Sequence, residues 1–221
     1  MKSLLRRIYR KIFISRTQRV IEDWKIKKLS NLNLKFIAIQ HFINTTPPES
    51  DILELGVGAG VSLELLAKLA TSTNRRYFGF DTFEGFPDGC EKDNNFKSND
   101  RWMFKFFNEN FLLSQLKELG LQQNELEKIN FIKGFLPNSL KKYSGKPGFV
   151  YLDVDLYQSY YDCLRAIYPR LVKNGIILCD EYDEEKTLKV WAGAKIAIDE
   201  FVSEYSLELN RHWTGKVYIK K

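Results

Sequence analysis

The sequence predicts an α/β fold with a Rossmann-like, mostly parallel sheet, preceded by N-terminal helices and closed by an antiparallel hairpin. Three observations predict it. Short apolar runs alternate with helix-length segments, which is typical of buried parallel strands joined by crossover helices. Glycines or acids follow these runs, at the strand ends where such sheets bind ligands. The last two runs are separated only by a short turn, which favours a hairpin.

Length and composition are those of one globular domain. The chain has 221 residues, of which 44% are hydrophobic and 28% charged. No apolar run approaches the ~20 residues of a membrane-spanning helix, and no secretory signal pattern is present. Three scattered cysteines, Cys90, Cys163 and Cys179, fit neither a zinc spacing nor a disulfide framework. These observations predict a cytoplasmic protein.

The basic character of the chain belongs to its N-terminal end. Ten Lys and Arg against two acids give residues 1–28 a charge of +8, so the remainder carries −2 of the total of +6. We expect residues 1–47 to form a basic helical arm that includes a helix over Leu32–Ile43, and residues 48–221 to form the main domain. The arm suits peripheral contact with the inner face of an anionic membrane, packing on the domain, or a homodimer. No groove-reading motif accompanies the charge, so nucleic acid is not an expected partner.

The main domain opens with a glycine-rich turn. The predicted strand Asp51–Leu55 runs into this turn, and a helix over Val61–Ala70 follows. Glycines let a ligand approach the backbone, and the helix N-terminus offers N–H groups. The spacing G-x-G-x-G differs from the G-x-G-x-x-G that grips a pyrophosphate, and an acid before it suits an ammonium or sulfonium group. The pattern favours S-adenosylmethionine, with these cofactor-binding candidates: Glu54, Gly56, Gly58 and Gly60.

Two further strands add candidates for binding a nucleoside. Arg76–Phe80 ends at Asp81, about 20 residues after the glycine turn, where such folds place an acid for the ribose hydroxyls. The strand Ile129–Lys133 is followed by Gly134 and Phe135, which we expect beside the base. S-adenosylmethionine and NAD would both use these residues, so they support a nucleoside without choosing between the two.

The remaining segments complete the predicted architecture. Thr82–Asp100 is a long loop and a candidate lid or substrate loop. Arg101–Gly120 has the pattern of an aromatic-rich helix, and Thr187–Glu204 that of a helix with an alanine-rich face. Leu207–His212 and Lys216–Ile219 are the predicted strands of the closing hairpin.

The strongest chemical pattern lies in the stretch Phe149–Tyr182. It holds two apolar runs joined by a helix-length segment, and each run ends in a pair of acids. Because the carboxyl ends of parallel strands meet at one edge of a sheet, we expect the four carboxylates to share one crevice. Converging oxygen ligands of this kind suit a hard divalent cation. The four acids are Asp153, Asp155, Asp180 and Glu181.

Several motifs together resemble one known family. The runs ELGVGAG, FGFDTFEGFP, KGFLPNSL and LDVDLYQSYYDCLRAIYPRL, followed by DEY and AIDEF, are similar to the macrocin O-methyltransferase family. The resemblance covers roughly residues 50–221 and implies a seven-stranded class I methyltransferase sheet. It also implies a Mg²⁺ site with Asp153, Asp180 and Glu181 as ligands. The chain departs from the family pattern at Glu181, where Asp is usual, and at Val154, where Gly is common.

The sequence therefore predicts an S-adenosylmethionine-dependent O-methyltransferase with Mg²⁺ assistance. The expected acceptor is a hydroxyl of a sugar, free or in a glycan, or of another vicinal diol. Asp153 is the candidate catalytic residue, taking the proton of a hydroxyl whose pKa the metal lowers. One alternative is an NAD(P)-linked oxidoreductase, but the glycine spacing and Glu54 argue against it. A membrane-associated, non-catalytic methyltransferase-like protein is another, which the departures at Glu181 and Val154 keep open.

Overall fold

The computed structural model describes residues 34–93, 107–182 and 191–221, and these form a seven-stranded sheet. The strand order is β3-β2-β1-β4-β5-β7-β6. The first five strands pair in parallel, and β7 runs antiparallel to both of its neighbours. This confirms the predicted mostly parallel sheet with a C-terminal antiparallel hairpin. The strands are β1 (Asp51–Leu55), β2 (Tyr77–Asp81), β3 (Ile129–Lys133), β4 (Pro147–Leu152), β5 (Ile176–Cys179), β6 (Leu209–Arg211) and β7 (Val217–Lys220).

Six α-helices accompany the sheet in the described part of the chain. They are α1 (Leu34–Thr45), α2 (Leu63–Ser72), α3 (Glu109–Glu118), α4 (Gln123–Leu126), α5 (Tyr157–Ile167) and α6 (Ala192–Glu204). Short 3-10 turns cover Asn138–Lys142 and Tyr168–Arg170, the second of them at Pro169. Within the described residues, no helix is both long and apolar enough to cross a bilayer.

Two predicted helices extend into residues that the structure does not describe. Of the helix predicted over Arg101–Gly120, residues 101–106 are not described, and α3 begins at Glu109, where the side chain of Asn108 accepts a hydrogen bond from the Phe111 N–H and caps the helix. The helix predicted over Thr187–Glu204 starts at Ala192. Residues 1–33 of the predicted arm (1–47) and parts of the predicted loop lie outside the described residues, which exclude 1–33, 94–106 and 183–190. The described remainder of the arm contains α1.

The sheet is buried on both faces. Every residue of β1, β4 and β5 is buried, as expected for central parallel strands covered by helices. Successive side chains point to opposite faces, so Ile52 packs with α1, α2 and α3, and Leu53 packs with α5 and α6. The strand order reverses between β1 and β4, which places the expected ligand crevice at their carboxyl ends.

A buried arginine fixes α1 on the edge of this core. Arg75 is 3% exposed and donates to the carbonyls of Ile43, at the end of α1, and Ser50, before β1. It also donates to the hydroxyls of Thr46 and Ser50. The guanidinium therefore satisfies carbonyls that the helix end leaves without intrahelical partners. This contact determines where the other end of α1, which carries Lys35, meets the sheet.

We expect Arg75→Met to lower the free energy of unfolding by about 2–4 kcal/mol, because it leaves buried acceptors without donors. The matched control is Arg76→Met. The Arg76 side chain is 58% exposed, and its partner Asp51 keeps the Tyr143 hydroxyl and the Lys146 N–H. The control should therefore cost less than ~1 kcal/mol. Urea unfolding measures both, and equal losses would contradict the assignment of Arg75 as the anchor of α1.

Candidate functional site

A cavity of about 430 Å³ opens at the carboxyl ends of the central strands. This volume lies within the usual range of small-molecule sites. Of the residues predicted to bind cofactor or metal, nine line it: Gly56, Gly58, Asp81, Gly134, Phe135, Asp153, Asp155, Asp180 and Glu181. Two predicted residues, Glu54 and Gly60, do not. The structure thus brings most of the predicted site together from segments far apart in sequence.

The glycine turn after β1 packs directly on the end of β4. Gly56 has φ +92°, and a Cβ atom at this position would lie 1.8 Å from the carbonyl oxygen of Asp153. It would also lie 3.4 Å from a methyl carbon of Val154. Only glycine satisfies both the backbone angle and the close approach. The turn predicted to bind the cofactor and the strand end that bears the acids are therefore in backbone contact.

Asp81 holds the end of β2 to the same turn. One of its carboxylate oxygens accepts hydrogen bonds from the N–H groups of Val57 at 3.0 Å and Gly58 at 2.9 Å. The other accepts from the Phe83 N–H at 2.8 Å. The carboxylate lines the cavity, so ribose hydroxyls would share an acceptor that already orders the loop. Its predicted contact with the ribose stays a prediction.

Glu54 lies behind the cavity wall. It is fully buried and accepts hydrogen bonds from the hydroxyls of Ser62 and Tyr77. Burial raises the pKa of Glu54 to about 8, although both hydrogen bonds act in the opposite direction. Its carboxyl oxygens are engaged inside the protein and do not line the cavity, so they do not face a bound sulfonium in the way the sequence suggested. The direct contact of Glu54 with a cofactor remains a prediction that this geometry does not support.

Gly60 faces the core. A Cβ atom there would lie 2.8 Å from a methyl carbon of Leu112, on α3. Gly60 therefore lets α3 pack close to the turn, and its predicted contact with the cofactor stays a prediction.

Apolar side chains flank the mouth of the cavity. Phe135 is 48% exposed and Val61 is 62% exposed. Gly134 donates its N–H to the Asp81 carbonyl at 2.9 Å, which sets Phe135 beside the end of β2. Exposed apolar surface next to hydrogen-bonding groups is the usual make-up of a site for a planar ligand.

Three carboxylates converge at the ends of β4 and β5. Asp153, Asp155 and Glu181 each place one carboxylate oxygen so that all three lie within 4.8 Å of one another. The hydroxyl of Tyr160 donates to Glu181, and that of Tyr151 donates to Asp153 at 3.2 Å. Asp155 has φ +59°, a left-handed conformation that non-glycine residues adopt at some cost. A set of three hard oxygen donors fits a divalent cation such as Mg²⁺.

Asp180, the fourth acid, is engaged by two lysines. One oxygen lies 3.4 Å from the amino group of Lys35, and the other lies 3.4 Å from that of Lys216. Lys216 also donates to the Asp180 backbone carbonyl at 3.0 Å. Asp180 lines the cavity but stands beside the group of three. The ligand set that the resemblance implied, Asp153, Asp180 and Glu181, stays a prediction. The group of three contains Asp155 in place of Asp180, and the strand pattern had already named Asp155 among the four acids.

Burial and mutual repulsion dominate the electrostatics of these acids. Burial raises the pKa of Asp153 to about 6, with Asp180 adding to the effect. Burial and neighbouring carboxylates also raise the pKa of Asp155 and of Glu181. Burial would likewise raise the pKa of Asp180, but Lys35 and Lys216 outweigh it and lower that pKa. Burial and repulsion therefore disfavour the ionised form of three of the acids, and the two lysines bring the pKa below its ordinary value for Asp180 alone.

Sequence reasoning missed several residues of the site. No local sequence pattern marks Lys35 or Tyr151 as a site residue. Lys35 falls within the predicted basic arm, and Tyr151 has the position of an ordinary core residue in a strand. Phe86 and Trp191 line the cavity with their ring centroids 5.6 Å apart. Phe86 lies within the FGFDTFEGFP motif and could have been found there, whereas the pairing with Trp191 depends on the fold.

The contact between the glycine turn and β4 predicts the effect of Gly56→Ala. The matched control is Gly215→Ala, because Gly215 has φ +90° and no atom within 4 Å of the added methyl group. The control pays only for the strained backbone, about 1–2 kcal/mol. Gly56→Ala should cost at least ~2 kcal/mol more, since Asp153 must move. Urea unfolding compares the two, and equal costs would argue against the contact.

Glu54 predicts a pH dependence of stability. Its pKa is about 8 in the folded protein against 4.5 as the ordinary value, so the folded state binds the proton more tightly. The contribution of Glu54 is fully present below pH 4.5 and is lost as pH rises towards 8. The stability of wild type relative to Glu54→Gln should therefore fall by up to ~1.4 kcal/mol per pH unit across this window. Urea unfolding at several pH values tests this, and a constant difference would contradict it.

Comparison with known proteins agrees with this geometry. The family model Macrocin-O-methyltransferase (TylF) matches residues 27–211. A tetracenomycin-modifying enzyme of Streptomyces olivaceus, 8-demethyl-8-(2,3-dimethoxy-alpha-L-rhamnosyl)-tetracenomycin-C 4'-O-methyltransferase, is 26% identical over 169 residues. The match covers 71% of this chain and 60% of that protein, so the chain spans less than two thirds of this relative.

Solved methyltransferases share the fold. The O-methyltransferase NovP superposes with a TM-score of 0.70 at 20% identity, over 85% of this chain and 79% of that one. CalS11, a calicheamicin methyltransferase, gives 0.63 at 24% identity over 96% and 82%. PaMTH1 of Podospora anserina, solved with S-adenosylhomocysteine, gives 0.57 at 16% identity over 99% and 94%. These likenesses confirm the predicted class I methyltransferase sheet.

The family match extends over most of the chain and includes the glycine turn, Asp81 and all four acids. It favours the S-adenosylmethionine class over the NAD(P)-linked alternative. The chain belongs to the macrocin-O-methyltransferase (TylF) family.

Proposed function

We propose that the protein transfers a methyl group from S-adenosylmethionine to a hydroxyl of a sugar or of another vicinal diol. The observation that carries the proposal is the contact between the two halves of the cavity. The glycine turn packs on the Asp153 backbone, so a cofactor on the turn and an acceptor at the acids would be neighbours. The names of the relatives support a sugar, since one acts on a rhamnosyl group and CalS11 is described as a TDP-rhamnose 3'-O-methyltransferase.

The cofactor half of the cavity has groups for each part of S-adenosylmethionine. Gly56 and Gly58 line the cavity without side chains, so the polar end of the ligand would approach the turn closely. Asp81 offers a carboxylate to the ribose hydroxyls, and Gly134 with Phe135 lies where the base would stack. A bound base would cover the exposed ring of Phe135, which lowers the apolar area left in water.

The acid half of the cavity suits activation of a hydroxyl. Asp153, Asp155 and Glu181 would hold a divalent cation, with Asp180 at their edge. S-adenosylmethionine supplies an electrophilic methyl group, and a cation bound at the acids supplies positive charge that lowers the pKa of a neighbouring hydroxyl. Asp153 accepts the proton of the acceptor hydroxyl, while the Tyr151 hydroxyl orients its carboxylate. The body of the protein contributes mainly by holding the two reacting groups in line.

Phe86 and Trp191 form an aromatic wall of the cavity. A sugar ring has an apolar C–H face that packs on aromatic rings and a polar edge that would face the acids. This division of the cavity favours a saturated polyol over a fully polar or fully apolar acceptor.

The N-terminal arm enters the proposal only as an accessory. Residues 1–33 lie outside the described part of the chain. Peripheral contact with the inner face of a membrane, a cytoplasmic location, a homodimer and the absence of nucleic acid partners stay predictions from charge and pattern. If the acceptor is a lipid-linked or polymeric glycan, the basic arm would help to bring the protein to it.

The decisive variants are Asp153→Asn and Asp81→Ala, with Asp162→Asn on α5 as the control acid outside the cavity. Asp153→Asn should lower methyl transfer to TDP-rhamnose or another vicinal diol by on the order of 10²-fold or more, because it removes the proton acceptor. Its affinity for S-adenosylhomocysteine should change little. Asp81→Ala should weaken that affinity by about tenfold or more. Titration calorimetry and a methyl-transfer assay measure the two effects.

Three outcomes would contradict the proposal. Binding of NAD⁺ in place of S-adenosylhomocysteine would point to an oxidoreductase. Binding of S-adenosylhomocysteine without transfer to any diol would favour the non-catalytic alternative. Full activity of Asp153→Asn would remove Asp153 from the reaction.

A further inference from the structure

Lys35 is a cation inside the cavity that neither the motifs nor the family match assigns. It lies in the first turn of α1, its side chain is 19% exposed, and it lines the same cavity as the acids. Its amino group lies 3.1 Å from the Tyr151 hydroxyl and 3.4 Å from Asp180. Tyr151 in turn contacts Asp153 at 3.2 Å, so the ammonium lies within two contacts of the acid predicted to be catalytic.

The two lysines of the site differ in what they face. Lys216 approaches Asp180 from the side of β7, donating to its backbone carbonyl and lying 3.4 Å from its carboxylate. The charge of Lys35 acts on Asp180, Asp153, Asp155 and Glu181 together. A lysine ammonium is a compact charge on a flexible stem, so it can neutralise several carboxylates and also move aside.

We propose that Lys35 is the resident counter-cation of the acids and competes with the divalent cation for them. This inference rests on the proposed function, since it takes the carboxylates to be a cation site. Two cations a few ångströms apart in a partly dry cavity repel each other strongly. When a metal binds, either the Lys35 ammonium moves away from the acids, or it stays and its repulsion weakens metal binding. The metal affinity of the protein is therefore set partly by a residue outside the ligand set.

A neutral side chain at position 35 should strengthen metal binding. Mn²⁺ titrated into metal-free protein, followed by electron paramagnetic resonance of the free ion, measures this directly and without reference to activity. Lys35→Met should bind Mn²⁺ at least tenfold more tightly than wild type. Lys35→Arg keeps the charge and should bind as weakly as wild type. Lys216→Met removes the other cation and should tighten binding much less.

The stability of the variants gives a second measurement. Without metal, Lys35→Met leaves Asp180 with one cation fewer and should melt at a lower temperature than wild type. Added Mn²⁺ should raise the melting temperature of Lys35→Met by more than that of wild type, because tighter binding stabilises the folded state more. If Lys35→Met does not fold, Lys35→Gln offers a smaller perturbation and carries the same two expectations.

Unchanged or weaker Mn²⁺ binding in Lys35→Met would overturn the inference. An equal gain in Mn²⁺ affinity in Lys216→Met would overturn it as well, because it would reveal only an effect of total charge. These failures are distinct from a failure of the proposed function. If S-adenosylhomocysteine binds and methyl transfer proceeds while Mn²⁺ affinity is insensitive to Lys35, this inference alone is wrong. If no S-adenosylhomocysteine binds, the methyltransferase proposal fails, and the Mn²⁺ series still decides whether Lys35 competes.

Discussion

The burial of four carboxyl groups close together at the ends of two strands is the constraint on which this site depends. Four carboxylates meet there because parallel strands end at one edge of the sheet. Buried acids are tolerated only with partners. The fold supplies tyrosine hydroxyls from β4 and α5, one lysine from α1 and another from the residue that precedes β7. Even so, burial and mutual repulsion keep the pKa values of three acids raised, so their ionised forms are not fully stabilised by these partners. A bound cation would stabilise the ionised forms, and this makes the cavity suitable for one.

The two departures from the family pattern are accommodated by geometry. Glu181 is one methylene longer than the usual Asp, yet its carboxylate reaches the group formed by Asp153 and Asp155, with Tyr160 fixing its direction. Val154 turns its side chain towards the glycine turn, where it belongs to the packed core. Neither residue closes the cavity, which both of them line. The Val154 side chain thus occupies space beside the glycine turn at the edge of the cavity.

The sequence predicted those features that depend on local pattern. The strand β1 has the predicted bounds, and β3 does as well, because each is a short, mostly apolar segment followed directly by a glycine. The glycine turn and the acids were found for the same reason. Glu54 could not be judged in this way, because whether it faces a ligand or Tyr77 depends on the packing of β2. Lys35 was beyond reach, since its distance of 145 residues from Asp180 in the chain leaves no local trace.

The placement of α1 has a consequence for how the chain can be divided. The sequence groups this helix with the basic arm, whereas its apolar face, including Phe42 and Ile43, is part of the core and its first turn supplies Lys35 to the cavity. A protein begun at residue 48 would expose the groove in which α1 lies and would leave Arg75 without two of its acceptors. It would also lose one of the two ammonium groups that face Asp180. The smallest unit that retains both the fold and the charge balance of the site therefore includes α1. The basic residues 1–28 are thus followed closely by a helix that supplies a side chain to the cavity.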